Sequence, residues 1–436
     1  MLATRGAPNV LTCDNGRFAL MVSPDPNPAR AEPGWPAVVV ASAHQTGVGL
    51  MRNLVRRGVT VCCVDHDLAQ PGFRTVYGKA HRCPNPDEKP AEWAEFMVAL
   101  AAKTGGKPAL ICCSDQFVTA VAAHAGRLKE SFLFCHTTIA TQALLSTKQR
   151  QYEIAEAHGV PVPRTRFVKS VEEAMAFGAG ALFPCVLKPV QFREWERFPA
   201  GHPLSGRKVI MVPSLDRLEA TYHMAAEASS ELVVQEIIEG PDTAKLVYLS
   251  CYDQGGKRIG ACMMRELRTF PIHFGSASMV EPVTDPETNE VCDRFLRSLG
   301  YVGLCEIELK GDTRDGRVKM IEANPRYTGT SDSTPYGGVD LGWLHYLDLI
   351  GKTVVPTGPS PRSFRHVMLY FDICTIGAYR REKLVTWREV LWSYRPPLAF
   401  YDFHWRDWRN AAHTVYRVAR FLAGRLARLI FRQRVS

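Results

Sequence analysis

Glu322, Asn324 and Arg326 stand at alternate positions of the segment Ile-Glu-Ala-Asn-Pro-Arg, residues 321–326. Alternate side chains of an extended chain share a face, so a carboxylate, a carboxamide and a guanidinium point the same way. That set suits a hard cation and phosphate. Mg²⁺ takes oxygen ligands and keeps substrate phosphates in its shell. Arg offers an always-charged fork for phosphate oxygens. Pro325 has no amide donor, so the strand ends where the set ends. Upstream, Glu306 and Glu308 share one face of an extended run whose other face is Cys305, Ile307 and Leu309. The polar loop 311–316 predicts that 303–310 and 318–323 form a hairpin. On the partner strand, Met320, Glu322 and Asn324 are expected on one face. If the polar faces coincide, carboxylates and an amide converge, and a divalent cation bridging to polyphosphate relieves their repulsion. Glu306 and Glu308 are rival ligands for it. The competing reading is a solvated hairpin face with ordinary charges.

Two lysines extend the set. Lys188 leaves the apolar run Phe-Pro-Cys-Val-Leu-Lys-Pro, and Lys148 opens a helix-like stretch over 147–158 that stops at Gly159. An ammonium there reaches the space in front of a helix N-terminus, where backbone N–H groups favour phosphate. Taken singly, each lysine also fits a snorkelling surface residue. The polar, Gly-containing segment 191–208 reads as a mobile lid over phosphates or as an ordinary surface loop. The run 232–238 breaks at Gly240-Pro241. Backbone groups at such a break suit an adenine edge, and Asp242 suits ribose hydroxyls.

Several elements must position these residues. A chain of 436 residues is too long for one core, and two or three domains are expected. Residues 1–36 are Pro-rich and read as a poorly ordered leader without a signal core. The pattern 37–42, a turn with Thr46-Gly-Val-Gly49, a helix to Arg57 and a strand over 59–64 is a βαβ signature, and 110–113 adds a strand with the polar tip Ser114-Asp115. The Gly-x-Gly reads as a tight strand-to-helix turn in preference to a dinucleotide loop, since the third Gly is missing. From 141 to 351 the texture is α+β, with strands expected over 183–188, 209–212, 232–238, 245–252 and 258–264 besides the hairpin. No apolar run is long enough to span a bilayer. The thirteen Cys include no Cys-x-x-Cys pair and read as reduced core thiols of a cytoplasmic protein. Of the net charge of +9, eight Arg and one Asp from Arg406 onward supply +7, so a whole-surface nucleic-acid footprint is excluded. In that tail Val415, Val418, Leu422, Leu426, Leu429 and Ile430 lie on one side of a helix and Arg417, Arg420, Arg425, Arg428 and Arg432 broadly opposite. The helix is read either as lying on an anionic membrane surface or as packed on its own domain.

Lys148, Lys188, the run Gln-Glu-x-Ile-x-Gly-x-Asp at 235–242, Glu308 and Glu322-x-Asn-Pro-Arg326 resemble, in order and spacing, the ATP-grasp superfamily. The resemblance covers about 145–350 and is nearest to carboxylate–amine ligases of the D-aspartate ligase type. Arg268-Thr-Phe-Pro271, Gly275-Ser-Ala-Ser and the region Trp387-Arg-Glu to Trp392-Ser add to it. It implies an α/β and α+β multidomain chain. An open α/β pre-ATP-grasp domain (37–140) precedes the ATP-grasp domain (141–351), and a C-terminal region (352–436) carries the basic helix. It implies that Lys148 and Lys188 hold ATP phosphates, and that Gln235, the backbone of Glu236 and Ile238, and Asp242 hold adenosine. Glu308, Glu322 and Asn324 would bind Mg²⁺, with Mn²⁺ an alternative. Arg326 would stabilise the transferring phosphoryl group, and Arg268 would hold the acid. The implied reaction phosphorylates a carboxylate, and an amine attacks the acyl phosphate. The rival readings are an ATP-grasp ligase making a small peptide or modified metabolite, and a catalytically inactive ATP-binding scaffold. The sequence departs from the family at Gln235, where many relatives carry Glu, and at 191–208, which lacks closely spaced glycines.

Overall fold

A computed structural model describes residues 29–135, 148–190, 195, 198–199, 201–205, 207, 209–229, 231–358 and 363–433, with the backbone alone for 426–433. Strands β1 (Val38–Ala41), β2 (Val61–Asp65), β3 (Lys79–Arg82) and β4 (Ala109–Cys112) form a parallel sheet in the order β3-β2-β1-β4. The run Val-Val-Val-Ala of β1 is buried on both faces, which is why it does not alternate. Trp93, Met97 and Phe117 of helices Pro90–Ala102 and Asp115–Ala123 cover one face, and Leu50 and Leu54 of helix Gln45–Arg56 cover the other. Strand order reverses between β1 and β4. In open α/β sheets the crevice outside such strand ends is where ligands bind. Ser42–His44 and Ser114–Asp115 stand there. The two glycines of the Gly-x-Gly lie inside helix Gln45–Arg56, and a Cβ on Gly49 would meet Asp332 Oδ1 at 2.6 Å. They are close-approach glycines of the turn reading.

A second, antiparallel sheet comprises β5 (Thr165–Val168), β6 (Cys185–Pro189), β7 (Ile210–Val212) and β8 (Leu232–Glu236) in the order β5-β8-β6-β7. Helices Val171–Gly178 and Leu215–Ala226 pack Phe177 and Leu218 against Cys185, Leu187 and Val234. Period-two alternation therefore leaves Thr165, Lys188 and Gln235 on the uncovered face. Within 191–208, Trp195, Phe198 and Leu204 belong to this core; residues 191–194, 196–197, 200, 206 and 208 lie outside the described residues.

The largest sheet has β9 (Lys245–Tyr252), β10 (Arg258–Phe270), β11 (Ser276–Val283), β12 (Gly303–Gly311), β13 (Val318–Asn324), β14 (Arg365–Val367) and β15 (Leu398–Phe400), in the order β13-β12-β9-β10-β11-β14-β15. The sheet continues past 351, since β14 and β15 come from the C-terminal region. One face packs Tyr248, Ile307, Leu309, Met320 and Ala323 under Phe295 and Leu296 of helix Pro286–Ser298 and Tyr152 of helix Lys148–Ala157. Met320 was expected beside Glu322. A bulge at Ile321 puts Met320 opposite Leu309 and Glu322 opposite Glu308, so Met320 turns into the core instead.

Residues 1–28 of the expected leader lie outside the described residues. Trp35 stacks on Trp343 at 6.0 Å, and Lys352 Nζ lies 4.8 Å from the Trp35 ring. Twelve cysteines are described as free thiols, all buried except the half-buried Cys62 and Cys112; Cys13 lies outside the described residues.

Candidate active site

The hairpin β12–β13 sets Glu308 directly opposite Glu322 and Glu306 opposite Asn324. Asn324 Nδ2 donates to Glu306 Oε1 at 3.1 Å and to Glu308 Oε1 at 3.5 Å. Thr328 Oγ1 donates to Glu306 Oε2 at 2.6 Å. Glu306 is thus held inward by two donors. Glu308 has the longer contact and stands against Glu322. Burial, then Glu306, Glu322 and Glu266, raise the Glu308 carboxyl well above the usual range. Glu266, on β10, is pushed up to about 7 by burial, against the pull of Lys245 at 3.7 Å. Sequence reasoning missed Glu266 and Lys245. The available signal was a lysine opening the apolar run Leu-Val-Tyr-Leu and a lone carboxylate among the arginines of β10.

Edge strand β13 is fixed by helix Lys148–Ala157. Gln151 Nε2 donates to Ala323 O at 2.7 Å, its Oε1 accepts from Ala323 N at 2.9 Å, and Tyr152 OH donates to Ile321 O at 2.8 Å. The helix thereby completes the edge hydrogen bonds and sets Lys148 Nζ 3.3 Å from Glu322 Oε2. Burial works against the Lys148 ammonium, but Glu322 and Tyr152 outweigh it and raise its pKa. On the facing sheet Lys188 Nζ donates to Gln235 Oε1 at 2.8 Å, and Gln235 Nε2 donates to Thr165 Oγ1 at 2.7 Å. Burial, then the positive Lys148, push Lys188 down to about 7, against Glu322. Lys188, on a strand, thus feels Lys148 at the start of the helix, and both feel Glu322.

Pro325 turns the chain out of β13, and Arg326 reaches the first sheet. Its Nε and Nη2 donate to Asp115 at 2.7 and 3.0 Å, and Nη2 also donates to Asn324 Oδ1 at 3.1 Å. Burial opposes the guanidinium charge, while Asp115, Glu306 and Glu322 hold it and raise its pKa. Asp115, at the strand-order reversal, was seen in the sequence as a polar tip without a partner.

The adenosine group is dispersed around the break after β8. Gln235 faces Lys188. Glu236 is buried, its Oε1 accepts from Leu182 N at 2.9 Å, and its backbone N–H donates to Arg164 O at 3.0 Å. Ile238 is buried just past the strand. Asp242 accepts from the Tyr379 hydroxyl, from His273 N at 3.2 Å and from Thr269 Oγ1 at 3.5 Å. Burial opposes its charge, but Tyr379, Lys245 and His273 prevail and hold the carboxyl below its usual range. A ribose hydroxyl must share Asp242 with these donors.

Arg268 is not brought to the cluster. Its Nε and Nη2 donate to Asp372 at 2.9 and 2.8 Å, and Nη2 donates to Ser393 Oγ at 2.9 Å. The side chain is 4 % exposed. The physical reason is a bulge at Leu267, which sets Arg268 opposite Met279 while Glu266 stands opposite Val280. Neighbouring residues of β11 face opposite ways, so the alternation that would align Arg268 with Glu266 is broken. The expected acid-binding role is corrected to a buried tie between β10 and helix Leu369–Arg381.

The donor set fits a divalent cation of the Mg²⁺ kind. The buried Glu306 and Glu266 crowd the half-buried Glu308 at one end of a sheet and, with Glu322, raise its pKa, and a cation relieves that repulsion. Among the described residues no three carboxylate, His or Cys side chains form a closed cage.

The fold has counterparts among solved structures. The N5-carboxyaminoimidazole synthetase of Staphylococcus aureus complexed with ADP covers 82% of this chain and 88% of its own at a TM-score of 0.58, with 13% identity. Biotin carboxylase of Campylobacter jejuni covers 73% and 71% at 0.55, with 16% identity. This is the ATP-grasp fold. The ATP-grasp chain is also 25% identical over 274 residues to the D-aspartate ligase of Enterococcus faecium, matching 59% of this chain and 63% of that one. It is 28% identical over 220 residues to the carbamoyl phosphate synthase large chain of Gemmatimonas aurantiaca, matching 48% and 19%. The chain therefore spans less than two thirds of the curated relatives it matches. No family model matches it.

Proposed function

We propose that this ATP-grasp protein is an ATP- and Mg²⁺-dependent ligase that joins a carboxylate, of an amino acid, to an amine. The observation that carries the reading is the register of β12 and β13. It pairs Glu308 with Glu322 and Glu306 with Asn324, between Lys148 on one side and Arg326 on the other. ATP would lie between the second and largest sheets. Lys148 and Lys188 would hold its phosphates, and Gln235 with the backbone at Glu236 and Ile238 would receive the base. Glu308, Glu322 and Asn324 would hold Mg²⁺, or Mn²⁺ of the same hard class, which supplies charge neutralisation at the phosphates when bound. Arg326, at the crevice of the first sheet, would face the reacting carboxylate. In the first half-reaction a carboxylate oxygen attacks the γ-phosphorus and ADP leaves. In the second the amine nitrogen attacks the acyl carbon, phosphate leaves, and the nitrogen loses a proton. The chain's own contribution is positioning and charge stabilisation, and no Ser or Cys nucleophile is required.

Incubation with ATP, Mg²⁺ and pooled amino acids, read by mass-resolved products, tests the activity. Acid-dependent ADP release by the wild type and a fall of about 10²-fold or more in Glu322→Gln are expected. Equal rates would remove Glu322 from the site. The E. faecium relative makes an amino acid the favoured acid. The finer location within this reading is the cytoplasm, at an anionic membrane surface through the basic C-terminal helix. No helix among the described residues is long and apolar enough to cross a membrane.

A further inference from the structure

Helices Leu369–Arg381 and Trp408–Gln433 pack side by side, and a groove of about 620 Å³ opens between them. Tyr370, His413, Arg417, Arg420 and Phe421 line it. The Arg417 guanidinium lies 3.7 Å from the Tyr370 ring centroid, held by its π face. Among the described residues no carboxylate forms an ion pair with Arg417 or Arg420. Asp402, whose carboxyl feels Arg417, accepts from the Leu369 and Tyr370 amides at 2.7 and 3.0 Å. The groove therefore offers two guanidinium forks and an aromatic wall to an anion, and Arg is the side chain suited to phosphate oxygens.

The neighbouring face of the same helix is apolar and turned outward. Ala411 and Thr414 are buried, while Val415 is 52% exposed and Leu422 50% exposed. Ala412, Ala419 and Ala423 are also exposed. At 100° per residue Val415, Ala419 and Leu422 share one side, beside the packed line and away from Arg417 and Arg420. At the helix start Trp405 and Trp408 are exposed, with Arg406 and Arg409 over their rings at 5.1 and 5.4 Å. Exposed Trp beside Arg suits the boundary between headgroups and acyl chains.

We propose that this face docks on an anionic membrane surface. A lipid phosphate would be held by Arg417 and Arg420 in the groove, while Val415 and Leu422 enter the acyl boundary. The inference rests on the peripheral address proposed above and adds the site that reads the headgroup. Charge complementarity selects the occupant: +7 of the chain's net +9 lies from Arg406 onward, against a negatively charged leaflet.

The test is co-sedimentation of the full chain with phosphatidylcholine vesicles that contain or lack phosphatidylglycerol. ATP affinity is read on the same preparations. The wild type is expected on the anionic vesicles only. Arg417→Gln with Arg420→Gln is expected to weaken that binding about tenfold or more, Val415→Ser with Leu422→Ser likewise, both with ATP affinity unchanged. Wild-type-like sedimentation of the double Arg variant would overturn the headgroup site while leaving a membrane address by another surface. Failure of the wild type to sediment would overturn both. Saturable binding of inorganic phosphate at Arg417 and Arg420 without vesicle binding would assign the groove to a free anion and overturn the lipid. Loss of ATP binding by the wild type would strike the ligase reading alone.

Discussion

Glu308 and Lys188 are held in protonation states set by their surroundings, and both consequences are measurable. The Glu308 carboxyl binds its proton more tightly in the native chain than in the unfolded one, so stability from this residue falls as pH rises from the ordinary carboxyl range up to its raised native pKa. Glu308→Gln is expected to raise Tm in chelator at about pH 8, seen by calorimetry, while ADP release falls about 10²-fold or more. Lys188 runs the other way. With its native pKa near 7, the unfolded chain holds one proton more between there and about 10.4. Stability from this residue therefore rises with pH over that window. Bringing phosphates to a neutral lysine restores its proton. ATP binding at about pH 8 is expected to take up protons, and Lys188→Met to abolish the uptake. Titration calorimetry in buffers of different ionisation enthalpy measures it.

Among the elements, helix Lys148–Ala157 has the clearest division of labour. Its Gln151 completes the exposed edge of β13 through both polar atoms of Ala323, and the same seating carries Lys148 to Glu322. Gln151→Leu leaves a buried amide and carbonyl without partners. A loss of about 1–3 kcal/mol is expected, read by urea denaturation, together with a raised KM for ATP as Lys148 loses its placement. The hairpin β12–β13 works through its bulge at Ile321. That extra residue lets Met320 and Ala323 both face the core while Glu322 keeps its place across from Glu308. Helix Leu369–Arg381 is the third such element. It holds Arg268 through Asp372 and reaches Asp242 through Tyr379, which ties the C-terminal region to the edge of the proposed nucleotide site.

At the scale of the whole molecule, the first and largest sheets are joined by buried charges. Arg52 ion-pairs with Asp332, which also accepts from Asn53 at 3.2 Å and lies 3.2 Å from His366. Gly49 admits that carboxylate because it has no Cβ. Arg52→Met strands a buried charge and is expected to cost about 3–5 kcal/mol, visible as a lower denaturation midpoint. The same junction holds Arg326 on Asp115, so the residue proposed to meet the acyl group is positioned by a carboxylate more than two hundred residues away in sequence.

The hexapeptide 321–326, its hairpin partner and the two lysines were legible from residue type and spacing, because strand alternation and helix starts are local properties. The strands expected at 245–252 and 303–310 were legible for the same reason. The sequence alone thus determined which side chains carry charge and which face of each strand they share. Tertiary structure decided what each charge meets. Met320 left the expected face because the bulge at Ile321 adds one residue and inverts the alternation beyond it. Bulges are set by packing against neighbours, which no local pattern records. Asp115 joined the site because the first sheet closes on the largest one, and Glu266 and Lys245 joined it because β9 and β10 pair beside β12 within the largest sheet. The outward turn of Val415 and Leu422 followed from which line of the helix found a partner. In a helix with apolar residues on more than one line, only the neighbouring surface can decide that.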